Sequence, residues 1–254
     1  MTDKAHETVV REQFGARAGA YVASTVHAGG EDLDHLEELV GERPQALVLD
    51  LGCGGGHVSY RLAPHVGRVV AFDLSEDMLR TVAAEARKRG LDNIATERGS
   101  AQRLPFADGS FDVVVSRYSA HHWGDLPACL RQARRVLKSG GLAVFMDTVS
   151  PGPAVADTYL QAVELLRDPS HVRDYSVDEW LRAAREAGFT PGAVIRRRLR
   201  LEFSSWVRRM ATPELSVRAI CSLQERMAGE VARHFEIEED GSFTVDTLTL
   251  TATV

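Results

Sequence analysis

The sequence predicts an α/β fold, with a doubly wound, mostly parallel sheet of seven strands, an antiparallel last strand and helical insertions. Three observations predict it. Short apolar runs alternate with helix-length amphipathic segments, the rhythm of repeated strand-helix-strand units. The first run, Ala46 to Leu51, delivers the chain to a glycine cluster, as a buried parallel strand does before a tight turn. The segments AVIRRRLRLEF and FTVDTLTLTATV instead alternate polar and apolar residues, like half-exposed strands.

The elements follow in order. Residues 1–45 are polar and helix-prone and read as an N-terminal helical cap; within them QFGARAGAYVAS places Phe14, Ala18, Tyr21 and Val22 on one face. Residues 46–150 read as the core. HVSYRLAPHV is helical, RVVAFD is a second buried strand, and Glu76 to Arg89 is a helix with Ser75 as its cap and Gly90 as its stop. NIATERG and FDVVVSRY continue the strands. A helix through LPACLRQARRVLK ends at Ser139-Gly140-Gly141, and LAVFMDTV follows. Residues 151–175 form a helical insertion, a lid. Residues 176–254 complete the sheet, beginning with a helix from Ser176 to Gly188, and about two helices separate the final strands. The whole reads as one domain.

Composition narrows the functional classes. With 44% apolar and 26% charged residues, the 254-residue chain can bury a substantial core. A net charge of −6 gives no overall basic field, which disfavours a phosphate-backbone binder. In RRRLR, strand alternation puts Arg196, Arg198 and Arg200 on one face with no aromatic stacking platform, so a solvated face is the better reading. No run of about 18 apolar residues occurs and the start lacks signal-peptide character, which predicts a cytoplasmic protein without stable membrane insertion. Cys53, Cys129 and Cys221 show no ligand spacing, so neither disulfides nor a metal site is expected.

The chemistry begins at Val48-Leu-Asp-Leu-Gly-Cys-Gly-Gly-Gly56, between a strand and a helix. Gly52 and Gly54 let the backbone bend and approach a ligand at the helix N-terminus. Such a loop suits NAD, FAD, a phosphate or S-adenosylmethionine equally. A dinucleotide fingerprint requires a third glycine where this chain has His57, which disfavours NAD. Asp73 ends the second strand where a carboxylate can accept from both ribose hydroxyls, and the competing reading makes it a helix N-terminal carboxylate.

Four ordered motifs now accumulate: Asp50-Leu-Gly-Cys-Gly-Gly-Gly56; Ala71-Phe-Asp-Leu-Ser75 with Met78-Leu79; Leu104-Pro-Phe106 with Ser110-Phe-Asp112; and Arg135-Val-Leu-Lys-Ser-Gly-Gly141. Together they resemble the class I methyltransferases of the ubiquinone/menaquinone C-methyltransferase type, which have a Rossmann-like fold. Ser24-Thr-Val-His27, Ser116-Arg-Tyr-Ser-Ala-His-His-Trp123, Ser170-His-Val-Arg173 and Glu202-Phe-Ser-Ser-Trp206 look closer still to the bacterial YafE-type methyltransferases. The resemblance implies S-adenosyl-L-methionine as cofactor. It implies that Asp50, Gly52 and Gly54 approach the methionine end, Asp73 the ribose, Leu74 and Met78 the adenine faces, and Ser100, Ala101 and Gln102 the adenine edge. Ser116 and Arg117 would line the methyl-donor side, and Tyr21 would close over the cofactor. Many relatives carry Asp where this chain has Ser100, which still accepts a hydrogen bond.

A sulfonium-activated methyl group needs chiefly an acceptor held in line and water excluded. Where the acceptor loses a proton, a base belongs near the carboxyl ends of the strands, the position of His121 and His122; the competing reading has each packing the loop. The lid would bring Tyr159, Glu164, Asp168, His171, Arg173 and Tyr175 to the acceptor, with Asp168 and Tyr175 taking part in proton transfer, and otherwise is a solvated amphipathic helix. Arg117 and Arg173 would hold an anionic group, and Tyr21 and His27 would contact the acceptor. The expected activity is C- or O-methylation of a small hydrophobic metabolite, an isoprenoid-type acceptor by family likeness, in a monomer or homodimer. A cofactor-binding regulator without turnover and an NAD-dependent oxidoreductase are the rivals.

Overall fold

The computed structural model describes residues 5–15 and 29–254. Tyr21 and His27, both expected near the ligands, lie outside the described residues, as does most of the QFGARAGAYVAS segment.

Seven strands form one sheet, β1 (Arg43–Leu51), β2 (Val66–Asp73), β3 (Ile94–Arg98), β4 (Phe111–Arg117), β5 (Leu137–Val149), β6 (Thr190–Leu201) and β7 (Phe243–Thr253). Their order is β3-β2-β1-β4-β5-β7-β6. β1 to β5 pair in parallel, and β7 runs antiparallel to both β5 and β6. The predicted fold class is thus the observed one.

Why the central strands read as continuous apolar runs is visible in their packing. Leu49, Leu51, Val114 and Phe145 enter one core layer, while their neighbours Val48, Val113, Val115, Val144 and Met146 enter another on the opposite face. Period-two alternation divides each run between two buried faces, so a polar group within it is costly unless it finds a partner. Helix α1 (His6–Gly15) precedes the sheet, and α2 (Glu31–Val40) covers one face through Leu33, Leu36 and Val40. Helix α3 (His57–Leu62) follows β1, and α4 (Glu76–Lys88) follows β2 with the Ser75 hydroxyl accepting from Met78 N. Helix α5 (Leu126–Val136) is capped by Asp125 and packs its stripe of Leu126, Cys129, Leu130 and Ala133 on the second face. Beside it lies α7 (Val177–Glu186), started by a Ser176/Glu179 capping box and anchored by Trp180.

A third apolar cluster unites α6 (Ala154–Arg167) with α8 (Phe203–Arg209), α9 (Glu214–Arg226), α10 (Gly229–His234) and the adjoining ends of β6 and β7. Three helices, not two, separate the last strands, because Pro213 and the Met227-Ala228 turn break the amphipathic pattern twice. Strand β5 begins five residues before Leu142, since Leu137 already pairs with Phe111 before the chain turns at Gly140. The basic strand face is neutralised by Arg198 pairing with Asp246 and Glu236, and by Arg200 pairing with Glu238. Among the described residues no helix is long and apolar enough to cross a membrane.

Candidate active site

Chain order reverses at β1, whose neighbours β2 and β4 lead the chain to opposite sides of the sheet. Ligand crevices in open α/β sheets form beyond the carboxyl ends of the strands at such a point. A cleft of about 1050 Å³ opens there.

Its floor is the turn after β1. Gly52 and Gly54 have φ of 73° and 48°, values that favour glycine. A Cβ at Gly52 would fall 2.0 Å from Ser119 Oγ, so the loop after β4 closes against this turn only because no side chain intervenes. A Cβ at Gly54 would meet no protein atom within 4 Å, and Gly54 borders the cleft. Gly54 N donates to Asp73 Oδ2 at 3.0 Å and Ser75 N to Asp73 Oδ1 at 2.9 Å. Burial raises the Asp73 carboxyl above the usual carboxylate range against these donors. Asp50 Oδ2 accepts from Ser59 N at 3.1 Å and Ser59 Oγ at 2.6 Å, whereas Oδ1 is buried without a partner among the described residues. Burial pushes the Asp50 carboxyl up to about 7.

Leu74, Met78, Ser100, Ala101 and Gln102 line the same cleft, as does Arg117. Helix α1 lies across it. Ser100 Oγ donates to Glu7 Oε1 at 2.5 Å, and His6 Nε2 donates to the His122 carbonyl at 2.9 Å. The cleft thus offers a backbone cradle, a carboxylate pair and a flat apolar slot, a donor and acceptor set that fits a nucleoside bearing an amino acid.

Arg117 is differently engaged from the expectation. Its guanidinium binds Asp32 through Nε at 2.6 Å and NH2 at 3.1 Å, both side chains being buried, so it anchors α2 to β4. Ser116 turns its hydroxyl into the buried sheet and does not border the cleft.

A second chamber of about 590 Å³ shares Phe14, Tyr118 and His122 with the cleft. It is lined by Leu199, Leu201 and Trp206 and by the charged or polar groups of His121, Glu164, Arg167, Asp174 and Arg209. His121 Nδ1 meets Asp147 Oδ1 at 2.6 Å, and His121 N and Thr148 N also donate to that carboxylate. Burial alone would depress His121, but Asp147, with Asp174 and Glu164 near, raises it to about 9. At neutral pH His121 is therefore a cation, a donor and not a base. His122 is the reverse: burial, and then the adjacent His121 charge, hold it far below its usual value, and its Nδ1 donates to the Ser170 carbonyl at 3.0 Å.

The lid residues divide. Glu164 reaches the chamber, paired to Arg167 at 3.2 Å. The others expected there do not. Tyr159 packs on Phe235 in the third core cluster, and Tyr175 packs edge-on against Trp180. Asp168 Oδ1 closes a turn by accepting from Ser170 N at 2.8 Å and Ser170 Oγ at 2.6 Å. Arg173 points to Asp157 and Glu179, both at 3.1 Å, and ties the capping box to α6. His171 lies behind His121, their ring centroids 6.0 Å apart, with Nε2 bound to Gln161 Oε1 at 2.9 Å. Sequence reasoning missed Asp174, Asp147, Tyr118 and Ser119. Tyr118 has φ of 49°, an uncommon value for a bulky residue, at the junction of cleft and chamber.

Comparison with known proteins agrees with this geometry. The family described as Methyltransferase domain matches residues 49–145. The YafE protein of Escherichia coli (strain K12) is 49% identical over 79% of this chain and 97% of its own. YcgJ of Bacillus subtilis (strain 168), named as an uncharacterized methyltransferase, is 33% identical over 79% of each. A solved structure from Bacillus halodurans C-125 superposes with a TM-score of 0.85 and 32% identity, covering 88% of this chain and 99% of that one. With its sheet order, its glycine cradle and these relatives, the chain belongs to the class I S-adenosylmethionine-dependent methyltransferases, and S-adenosylmethionine is its cofactor.

Proposed function

We propose that the protein transfers a methyl group to carbon or oxygen of a small organic acceptor bound in the second chamber. The single observation that carries this reading is the junction of the two spaces at Phe14, Tyr118 and His122, which lets a donor in one face an acceptor in the other. When bound, the cofactor supplies a methyl group already activated by its sulfonium. The protein's residues bind and orient. In this reading Gly52 and Gly54 bring the backbone to the methionine end, beside the unpartnered Asp50 Oδ1. Asp73 accepts from the ribose hydroxyls, Leu74 and Met78 hold the adenine faces, and Ser100, Ala101 and Gln102 border its edge. Helix α1 covers the cleft and excludes water.

The chamber lining refines the acceptor. Phe14, Leu199, Leu201 and Trp206 receive a short apolar body, while the charged groups require a polar reacting head. An extended isoprenoid tail would have to leave the chamber, so a compact acceptor is favoured over the isoprenoid expectation. The test combines binding and turnover. Asp73→Ala is expected to weaken S-adenosylhomocysteine about tenfold or more by calorimetry, the loss of charge-assisted hydrogen bonds. Wild-type protein given labelled methyl donor and a small-metabolite extract is expected to yield a labelled product. Tight cofactor binding with no product from any extract would support the regulatory alternative instead.

A further inference from the structure

Around the second chamber, buried ionisable groups meet from four parts of the chain. Glu164 and Arg167 come from α6, His121 from the turn after β4, Asp147 from the end of β5, and Asp174 from the loop before α7. Most are committed to one another. Asp147 is saturated by His121 and two backbone N–H groups, and Glu164 binds Arg167. Asp174 is different. It is 2% exposed, it lines the chamber, and its Oδ2 has no hydrogen-bond partner among the described residues, His171 Nε2 standing 3.9 Å away.

Its backbone is nevertheless held at two points. Asp174 N donates to Gln161 Oε1 at 3.0 Å, and Gln161 Nε2 donates to Asp174 O at 2.9 Å. The loop is also pinned to His121, whose carbonyl accepts from Val172 N at 2.8 Å and Arg173 N at 3.2 Å. A buried carboxylate oxygen without a donor is costly, and a fold that fixes one beside a cavity gives it an acceptor's role toward whatever enters. Opposite in character, His121 presents a cation whose Nδ1 is taken by Asp147, leaving Nε2–H as its remaining donor.

We propose that Asp174 is the proton acceptor of the methyl transfer, that the His121 imidazolium holds the resulting oxygen anion, and that the acceptor therefore carries a weakly acidic hydroxyl, a phenol or an enol. This rests on the methyltransferase reading above. The acceptor hydroxyl gives its proton to the Asp174 carboxylate while the oxygen's electron pair, or the conjugated carbon's, forms the new bond to the methyl carbon. The S–C bond breaks with its pair remaining on sulfur, so the sulfonium becomes a thioether, and the proton later leaves Asp174 for solvent. Burial, with Glu164 and Asp147 nearby, raises the Asp174 carboxyl well above its ordinary value against the opposing His121 and Arg167 charges, so the step runs through the fraction of Asp174 that is ionised at the working pH, and that anion is a stronger base than an exposed aspartate. His122, neutral and bonded to Ser170, and His171, depressed to about 3 by burial, do not compete for the proton in this arrangement.

Two probes test this, 4-nitrophenol and unsubstituted phenol, with full-length protein and S-adenosylhomocysteine binding as the control for an intact cleft. The visible absorbance of bound 4-nitrophenolate is expected to show its ionisation shifted downward by at least about one pH unit, as a nearby cation produces, and His121→Gln is expected to abolish that shift. In single-turnover methylation, Asp174→Asn is expected to slow phenol by about 100-fold or more and 4-nitrophenol, already acidic, far less; Asp174→Glu restores part of the phenol rate. A merely structural role for Asp174 would slow both probes equally, and that result overturns the proposal. If neither probe binds or reacts while S-adenosylhomocysteine still binds, the phenol or enol class is wrong and the methyltransferase reading stands. If S-adenosylhomocysteine fails to bind wild-type protein, both fall.

Discussion

Two glycines of equal backbone strain and unequal position separate folding from binding. Gly54 and Gly90 have φ of 48° and 68°, and at both a Cβ would meet no protein atom within 4 Å. Gly54 borders the cleft, whereas Gly90 ends α4. Placing an L-residue in this region costs about 1–2 kcal/mol, so Gly54→Ala and Gly90→Ala should destabilise the protein alike. At about 2–4 °C per kcal/mol for a chain of this size, each melting temperature should fall by about 2–8 °C. Only the Gly54 methyl enters the space assigned to the methionine end of the cofactor. If it removes about 1.4 kcal/mol of contact, S-adenosylhomocysteine affinity falls about tenfold, which calorimetry resolves against an unchanged Gly90→Ala. Equal affinity in wild type and Gly54→Ala would refute the placement of the ligand on this turn. A matching loss in Gly90→Ala would show that strain, not contact, governs binding.

The buried Asp32–Arg117 pair supplies a second expectation: Asp32→Ala, which leaves the guanidinium without its carboxylate, should cost about 3 kcal/mol or more in urea unfolding, and Asp32→Ala with Arg117→Met should recover much of it. A double variant no better than the single one would remove the stranded charge as the cause. His121 supplies a third. Its folded value of about 9 lies above the ordinary 6.5, so its contribution is complete below pH 6.5 and disappears as pH rises toward about 9. The stability difference between wild type and His121→Gln should therefore shrink across that window, and a difference independent of pH there would contradict a His121–Asp147 ion pair.

Much of the fold was legible because its signals are local. An apolar run between glycine breaks has few alternatives to a buried parallel strand, and Ser75, Gly90 and Asp125 stand where a helix start or stop needs them. The region from Phe203 to His234 was less legible, since short helices of seven and six residues hardly complete a periodic pattern. The glycine turn and the place of Asp73 beside it were legible for the same reason as the strands, their positions being set by backbone path. Side-chain partners were not. Nothing near Arg117 in sequence announces Asp32, 85 residues away, and nothing near Arg173 distinguishes a ligand-holding cation from one that ties Asp157 to Glu179. In DPSHVRDY the chain offers five titratable side chains without periodicity, and only tertiary packing selects Asp174 over Asp168 as the one that meets the chamber.

His121 and His122 show what such reading lacks and where it can be strengthened. They are adjacent and half-buried alike, yet one is a cation and the other neutral, because Asp147 reaches the first ring while burial and the neighbouring His121 charge govern the second. The deciding residue therefore stands 26 positions away, in β5. Yet Asp147 carried a signal. It is a carboxylate near the end of an apolar strand, as Asp50 is in β1 and Asp73 is in β2, and a charge buried in such a run must be paired or serve a ligand. Parallel strands place their carboxyl ends on one side of the sheet, so these acidic groups converge on the crevice whatever the intervening loops do. Asking which titratable group in the nearby loops pairs with each strand-end carboxylate identifies the protonation state of a site before any ligand is known, and here it singles out His121 as the cation.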